Sequence, residues 1–369
     1  MEGYGDEGVG KWAFIASPVE GSIAPTTVEN IFSATEYDLY RLNPSTVMWE
    51  NYKEQAGNAA AGFNLVNSRG YLYATKETKT LVFSGNYKWG SEETVDLIPG
   101  FNLVGNPFTT EAWVNKPYYK MNAAGSDIEA VSEYETTAIP VCTGVVINAT
   151  FADAVTFSTT APQQQSANNN GNLQMTLTKT GARSDAFQDK AIVSFTENSQ
   201  LEKLIFNENH AKLYIPQEGN DYAIASSDMT GEMPLNFRAT ETGRYTINFN
   251  FENVDCVMIQ LIDKVENIII DLGRDARPCV STYTFMGSPA DREDRFTLVF
   301  TQVGTSSNFA YQNGTDIIVS GNGTLEVFDV VGRMVISQHI NGVETVEKPS
   351  TTGVYILRLN GKTQKMVVR

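Results

Sequence analysis

Short apolar runs recur along the whole chain with a period of two, and that periodicity leaves little choice of fold. From Trp12 onward, stretches of Val, Ile, Phe and Tyr alternate with polar residues between clusters of Gly, Asn, Asp and Pro, and no long stripe of 3.6-residue period occurs. Alternating side chains point to opposite faces of a strand, so the pattern predicts an all-β protein. One short helix is expected, Pro25 to Ser33, with Pro25 and Thr26 near its start and Val28, Ile31 and Phe32 on one face.

A chain of 369 residues exceeds what one core ordinarily serves. The segment Ala161 to Asn172, APQQQSANNNGN, has no apolar face to offset the entropy of ordering, and reads as a linker. A second boundary falls at Val303 to Asn308, VGTSSN, after the apolar strand Phe296 to Phe300. Three domains follow, 1–161, 173–303 and 309–369. The first holds a partial repeat, Gly62-Phe63-Asn64-Leu65-Val66-Asn67 returning as Gly100-Phe101-Asn102-Leu103-Val104-Gly105-Asn106, which predicts two similar β units. The second contains strands at regular spacing, including a hairpin around Lys264 to Asn267, and reads as a β-sandwich or a jelly roll.

Charge and chemistry-bearing residues narrow the function. With 43 acidic against 27 basic residues the formal net charge is −16, which repels phosphate backbones and argues against nucleic acid as a partner. No apolar run reaches the roughly twenty residues that a membrane span requires. Loop carboxylates are where a structural calcium ion would sit, and no other cofactor is expected. Cys142, Cys256 and Cys279 lack CxxC spacing, and only a Cys256–Cys279 bridge is considered. The two histidines, His210 and His339, form no zinc cluster; His210, in Asn207-Glu208-Asn209-His210, reads as a solvated loop residue, and no GxSxG motif accompanies it. Asp291-Arg292-Glu293-Asp294-Arg295 gathers three carboxylates and two guanidiniums, and reads as a self-paired loop rather than a glycosidase pair. The chain is expected to be noncatalytic.

Aromatic residues are concentrated in the first domain: Trp49, Tyr52, Tyr87, Trp89, Trp113, Tyr118 and Tyr119. Most of them are expected to fill β cores. Exposed rings on a β surface would stack on sugar faces, and Trp49, Trp89 and Trp113 are the candidates for such glycan contact.

From Asn313 onward, Asn313-Gly314, Asn322-Gly323, Asn341-Gly342 and Asn360-Gly361 supply the positive φ of tight hairpins, and six or seven short strands between them suit a small immunoglobulin-like sandwich. The run Leu325-Glu326-Val327-Phe328-Asp329-Val330-Val331-Gly332-Arg333-Met334-Val335, followed by Gly353-Val354-Tyr355-Ile356-Leu357-Arg358-Leu359 and Lys365-Met366-Val367-Val368, resembles the C-terminal sorting domain of the type IX (Por) secretion system of Bacteroidetes. That resemblance marks Gly332, Arg333, Gly353, Tyr355 and Lys365 as sorting-motif residues. Gly332 permits the turn, Arg333 and Lys365 are positive points on an acidic protein, and Tyr355 and Leu357 fill the core.

The resemblance implies passage across the outer membrane, recognition by the type IX machinery, removal of the tail by a surface sortase with a cut near Val303 to Phe309, and attachment to lipopolysaccharide. It places the protein on the outer-membrane exterior, secreted and surface-bound. Gly100 to Phe108 and Asp294 to Phe300 resemble, more weakly, modules found ahead of such tails. No leader opens the chain, and Met1 to Val9 is rich in glycine and acids, so the chain is expected to be the C-terminal part of a longer precursor. The upstream domains are expected to be adhesive or scaffolding, with a glycan or host protein as partner; the alternatives are an accessory region of a secreted hydrolase and a carbohydrate-binding adhesin.

Overall fold

The computed structural model describes residues 11–32, 37–53, 62–75, 79–132, 137–162, 171–181, 185–195, 199–227, 231–252, 254, 258–274, 277–278, 281–301 and 308–369. The alternating pattern is expressed as strands throughout, and the protein is all-β, with sandwich-like and curled sheets. The predicted helix is a correction: only Pro25–Thr27 turns, as a 3-10 segment. Glu29 then pairs with Val82 as an isolated bridge, and Val28 and Ile31 are buried in an apolar cluster. Burial of those two side chains beside an extended neighbour wins over the local helical signal.

Residues 11–158 form four small sheets, and the two copies of the repeat enter different ones. Leu65–Val66 makes a two-residue ladder with Ser22–Ile23, whereas Gly100–Gly105 pairs in full with Gly144–Ala149. The sheets meet where backbones touch. A Cβ on Gly105 would lie 2.4 Å from Ala16 Cβ and 2.7 Å from the Arg69 carbonyl oxygen, so only glycine fits there.

Residues 172–301 form one sheet of twelve strands, mostly antiparallel, with one parallel pairing between Asp185–Ser194 and Asn220–Ser226. The sheet is rolled over a single core. Phe285, near one end of the strand order, packs edge-on against Phe237 and Phe296 at 5.0 Å, which closes the roll. The expected hairpin is present, with Lys264 to Asn267 joining Met258–Asp263 to Ile268–Arg274 and Asn267 at φ 55°. Asn172, read as the end of the linker, is instead the buried first residue of the strand Asn172–Thr180. The other linker positions 163–170, and 303–307 of the second boundary, lie outside the described residues, as do Cys256 and Cys279.

Residues 309–368 form five strands rather than six or seven. Two of them are long: Asp316–Phe328 and Met334–Glu347 pair along their whole lengths. The Asn322-Gly323 and Asn341-Gly342 pairs are not hairpin turns. Asn322 stands opposite Asn341 in the ladder, and Gly321, Gly323 and Gly342 have positive φ, so the two pairs bend one ribbon. The bend folds its halves over a core that includes Ile317, Val327, Ile340, Tyr355 and Leu357. Ala310–Asn313 and Gly353–Leu359 occupy opposite halves of the free edge of Asp316–Phe328, and Lys362–Val368 pairs with Gly353–Leu359.

Candidate functional site

The loop joining the two long tail strands is organised by one carboxylate. Asp329 Oδ1 accepts the Val331 and Arg333 amides at 3.0 and 2.9 Å, while Oδ2 accepts the Arg333 guanidinium Nε at 2.7 Å. These donors, the Arg333 amide foremost, hold the Asp329 carboxyl below its ordinary range. Gly332, at φ 83°, turns the corner, and its amide donates to the Asp329 carbonyl. Arg333 is therefore not a bare positive point, because its charge is answered within the turn although its side chain is 79% exposed.

Apolar side chains surround this polar turn on the outside. Val330 and Val331 are 76% and 72% exposed, and Met334 and Val335 are exposed beside them. Ladder register continues the surface across the sheet through Met334, Phe328, Ile356 and Lys365, each the partner of the next. Their neighbours Val327, Leu357 and Gln364 are buried, so alternation turns this row to the outer face. Arg358 caps it, with its guanidinium 5.1 Å from the Phe328 ring centroid. Strand spacing puts Lys365 roughly 14 Å from Met334, hence at the far edge of the surface that Arg333 begins.

The other sorting-motif residues are internal or unconstrained. Tyr355 is buried, and its hydroxyl donates to the Thr351 carbonyl at 2.9 Å. Gly353 opens its strand without positive φ, and a Cβ there would meet only the Tyr355 ring edge at 3.8 Å, so neither conformation nor space demands glycine.

The three tryptophans do not share a face. Trp49 packs edge-on against Phe206 at 6.4 Å, inside an apolar seam between residues 11–158 and 172–301. Trp113 pairs with Ser158 at the edge of a three-stranded sheet, and Trp89 is 89% exposed ahead of that sheet's strand Glu92–Leu97. Tyr118 and Tyr119 are buried, Tyr52 packs against Phe32 and Phe63, and the Tyr87 hydroxyl donates to Phe83 O.

His210 is a correction. Rather than a solvated loop residue, it lies between residues 11–158 and 172–301, with Nδ1 2.8 Å from Asp127 Oδ2. Lys212 Nζ reaches the same oxygen at 3.2 Å. The Asp291–Arg295 loop is only partly self-paired, and its strongest ion pair reaches outside it. Arg292 forks onto Asp294, Glu293 accepts the Tyr214 hydroxyl, and the fully buried Arg295 pairs with Asp263 at 2.7 Å. Among the described residues, no three of His, Cys, Asp and Glu converge to hold a metal ion.

Family models, curated proteins and solved structures yield no match to this chain. Two elements of the site escape a reading of the sequence. Asp329 carries a legible signal, an acid two and four residues before amides in a Gly-containing turn. Gln364 carries none: its Oε1 accepts the Phe309 and Ala310 amides at 2.7 and 2.9 Å, and its Nε2 donates to Ala310 O at 2.6 Å.

Proposed function

We propose that residues 309–369 are a type IX sorting domain that carries the upstream β regions across the outer membrane to the cell surface, where a sortase removes it. The observation that carries this reading is the outer surface of the tail, where the Gly332-Arg333 turn, an exposed apolar tip and Lys365 lie on one side of a unit with its own core. Exposed apolar groups rimmed by charge are what a protein receptor reads, and Val330 and Val331 serve no packing role that would otherwise account for them. On this reading the signal is a folded shape, and the upstream regions are noncatalytic cargo of adhesive or scaffolding character.

Fusion of residues 308–369 to a periplasmic reporter in a type IX-competent cell tests the proposal. Protease-accessible reporter on the cell surface is expected, and retention of the fusion inside the cell overturns it. Val331→Asp, at an exposed turn position, is expected to lower surface delivery at least about tenfold without unfolding the tail, because a buried charge at a receptor contact costs more than the contact supplies.

A further inference from the structure

The strand Met334–Glu347 pairs with Asp316–Phe328 along one side only. Its other side is an open sheet edge. Residues of an antiparallel strand alternate the side to which they turn amide and carbonyl, and among the described residues nothing bonds to the backbone of Ile336 to Ile340 from that side. The edge has defined ends. Val335 is the extra residue of a bulge, since Ile336 stands opposite Val327 and Met334 opposite Phe328. At the other end the Asn341 amide donates to Glu344 Oε1 at 3.0 Å. Ile336 to Ile340 are left between them as a regular template for another strand.

Sheet edges are commonly guarded by charge. Glu92–Leu97, at the edge of its three-stranded sheet, carries Glu92, Glu93 and Asp96, and Lys362–Val368 carries Lys362 and Lys365. From Met334 to Val343 there is no Asp, Glu, Lys, Arg or Pro. The unit around this edge is also close to neutral. Residues 309–369 hold five acidic and six basic residues, a formal charge of +1 against −17 for residues 1–308. Two copies of this acidic protein therefore meet with least repulsion through their tails.

We propose that this edge pairs with the same edge of a second copy of the chain, antiparallel about a two-fold axis at Gln338, so that two tails share one continuous sheet. That register sets Ile336 opposite Ile340, Ser337 opposite His339, and the Gln338 amide opposite its own copy. Ile336 and Ile340 belong to the core side of the strand, whereas Ser337 and His339 are exposed. The same register carries Arg333 of each copy to the Asn341 end of the other, beside Glu344. The Arg333 side chain is 79% exposed, and among the described residues only its Nε is engaged, by Asp329, so its terminal nitrogens are left to reach a carboxylate. Opposite charges then meet at both ends of an uncharged pairing, which selects a second copy over the strand of an unrelated protein. Edge pairing widens the sheet and leaves its outer face, with Phe328, Ile356 and Lys365, uncovered. Self-association therefore goes beyond the export reading and does not depend on it.

Sedimentation equilibrium on the full chain, from about 1 to about 100 µM, tests the pairing. The mass is expected to rise from one chain toward two, and a mass that stays at one chain overturns the proposal. Ser337→Lys, at an exposed side chain, sets two ammonium groups diagonally across the axis and should weaken dimerisation at least about tenfold with the thermal midpoint unchanged. Glu344→Gln keeps an acceptor for the Asn341 amide but removes the charge facing Arg333, and should weaken dimerisation about threefold. Air oxidation reads the register: Ser337→Cys chains mixed with His339→Cys chains should form a disulfide with each other faster than either forms with itself, measured against the parent chain. A dimer that both substitutions at Ser337 and Glu344 leave equally tight, or cysteine chains that cross-link no faster when mixed, would equally overturn pairing through this edge.

Discussion

Tyr119 shows how much one side chain holds at the junction of residues 11–158 and 172–301. Fully buried, it donates its hydroxyl proton to Glu202 O at 2.7 Å and accepts the Leu204 amide at 3.1 Å. Burial pushes its phenol well above the ordinary tyrosine value, and burial does the same for Tyr73 and Tyr214, each pushed up to about 12. A raised folded pKa means that the native chain keeps protons which the unfolded chain releases near pH 10. This stability is present in full below about pH 10 and is lost as pH rises toward the folded values. Tm measured from pH 8 to 11.5 is expected to fall steeply above about 10. Tyr119→Phe should lower stability by about 1–3 kcal/mol at pH 7, by orphaning a carbonyl and an amide, and should make the alkaline fall shallower. Gly105→Ala tests the other junction of this kind. Its new methyl meets Ala16 and backbone that cannot give way, and a loss of about 1–3 kcal/mol in denaturant unfolding is expected.

Elements in the tail depend on contacts that the sequence announces unevenly. Ala310–Asn313 is held at its start by Gln364, which is buried and satisfies two amides and one carbonyl. Gln364→Ala leaves those groups without a partner, and a loss of about 2–4 kcal/mol is expected, with the Phe309 and Ala310 amides exchanging first in hydrogen-exchange measurements. The Asn360-Gly361 turn was legible, because two successive positive-φ residues between alternating runs have one common use. Asn322-Gly323 and Asn341-Gly342 misled, because positive φ serves a bent strand as well as a turn. What decides is the distant Leu359, whose Cδ2 would lie 2.8 Å from a Cβ on Gly321 and which fills the inside of the bend. The strands around Lys264 to Asn267 were legible from the alternating apolar runs on either side of a short polar segment, which turns with only Asn267 at positive φ. A cavity of about 430 Å³ walled by Lys11 to Phe14, Tyr118 to Gly125 and Thr137 to Val145 was not, since it joins three stretches that are separated in sequence.

On the scale of the molecule, the first two regions share a core. Phe14, Leu72, Tyr119 and Val146 from one pack with Ile192 and Ile224 from the other. Polar contacts fix the same seam: Asp127 receives His210 and Lys212, and Asn207 Nδ2 donates to Ser126 O at 3.0 Å. The tail touches its neighbour through less, chiefly Tyr311 and Ile318 against Ile262 and Val299, with Asn313 donating to Lys264 O. Burial of this extent couples the stability of adjoining units, whereas a small contact leaves them separable. Residues 11–301 are therefore expected to melt as one calorimetric transition and the tail as another. Ile224→Ala, which opens space in the shared seam, should shift the first transition by about 2–4 kcal/mol and leave the second in place. Hydrogen exchange separates this from a local effect. If amides of residues 172–301 lose protection in Ile224→Ala while those of 11–158 keep theirs, the two regions are independent and the shared core does not couple them.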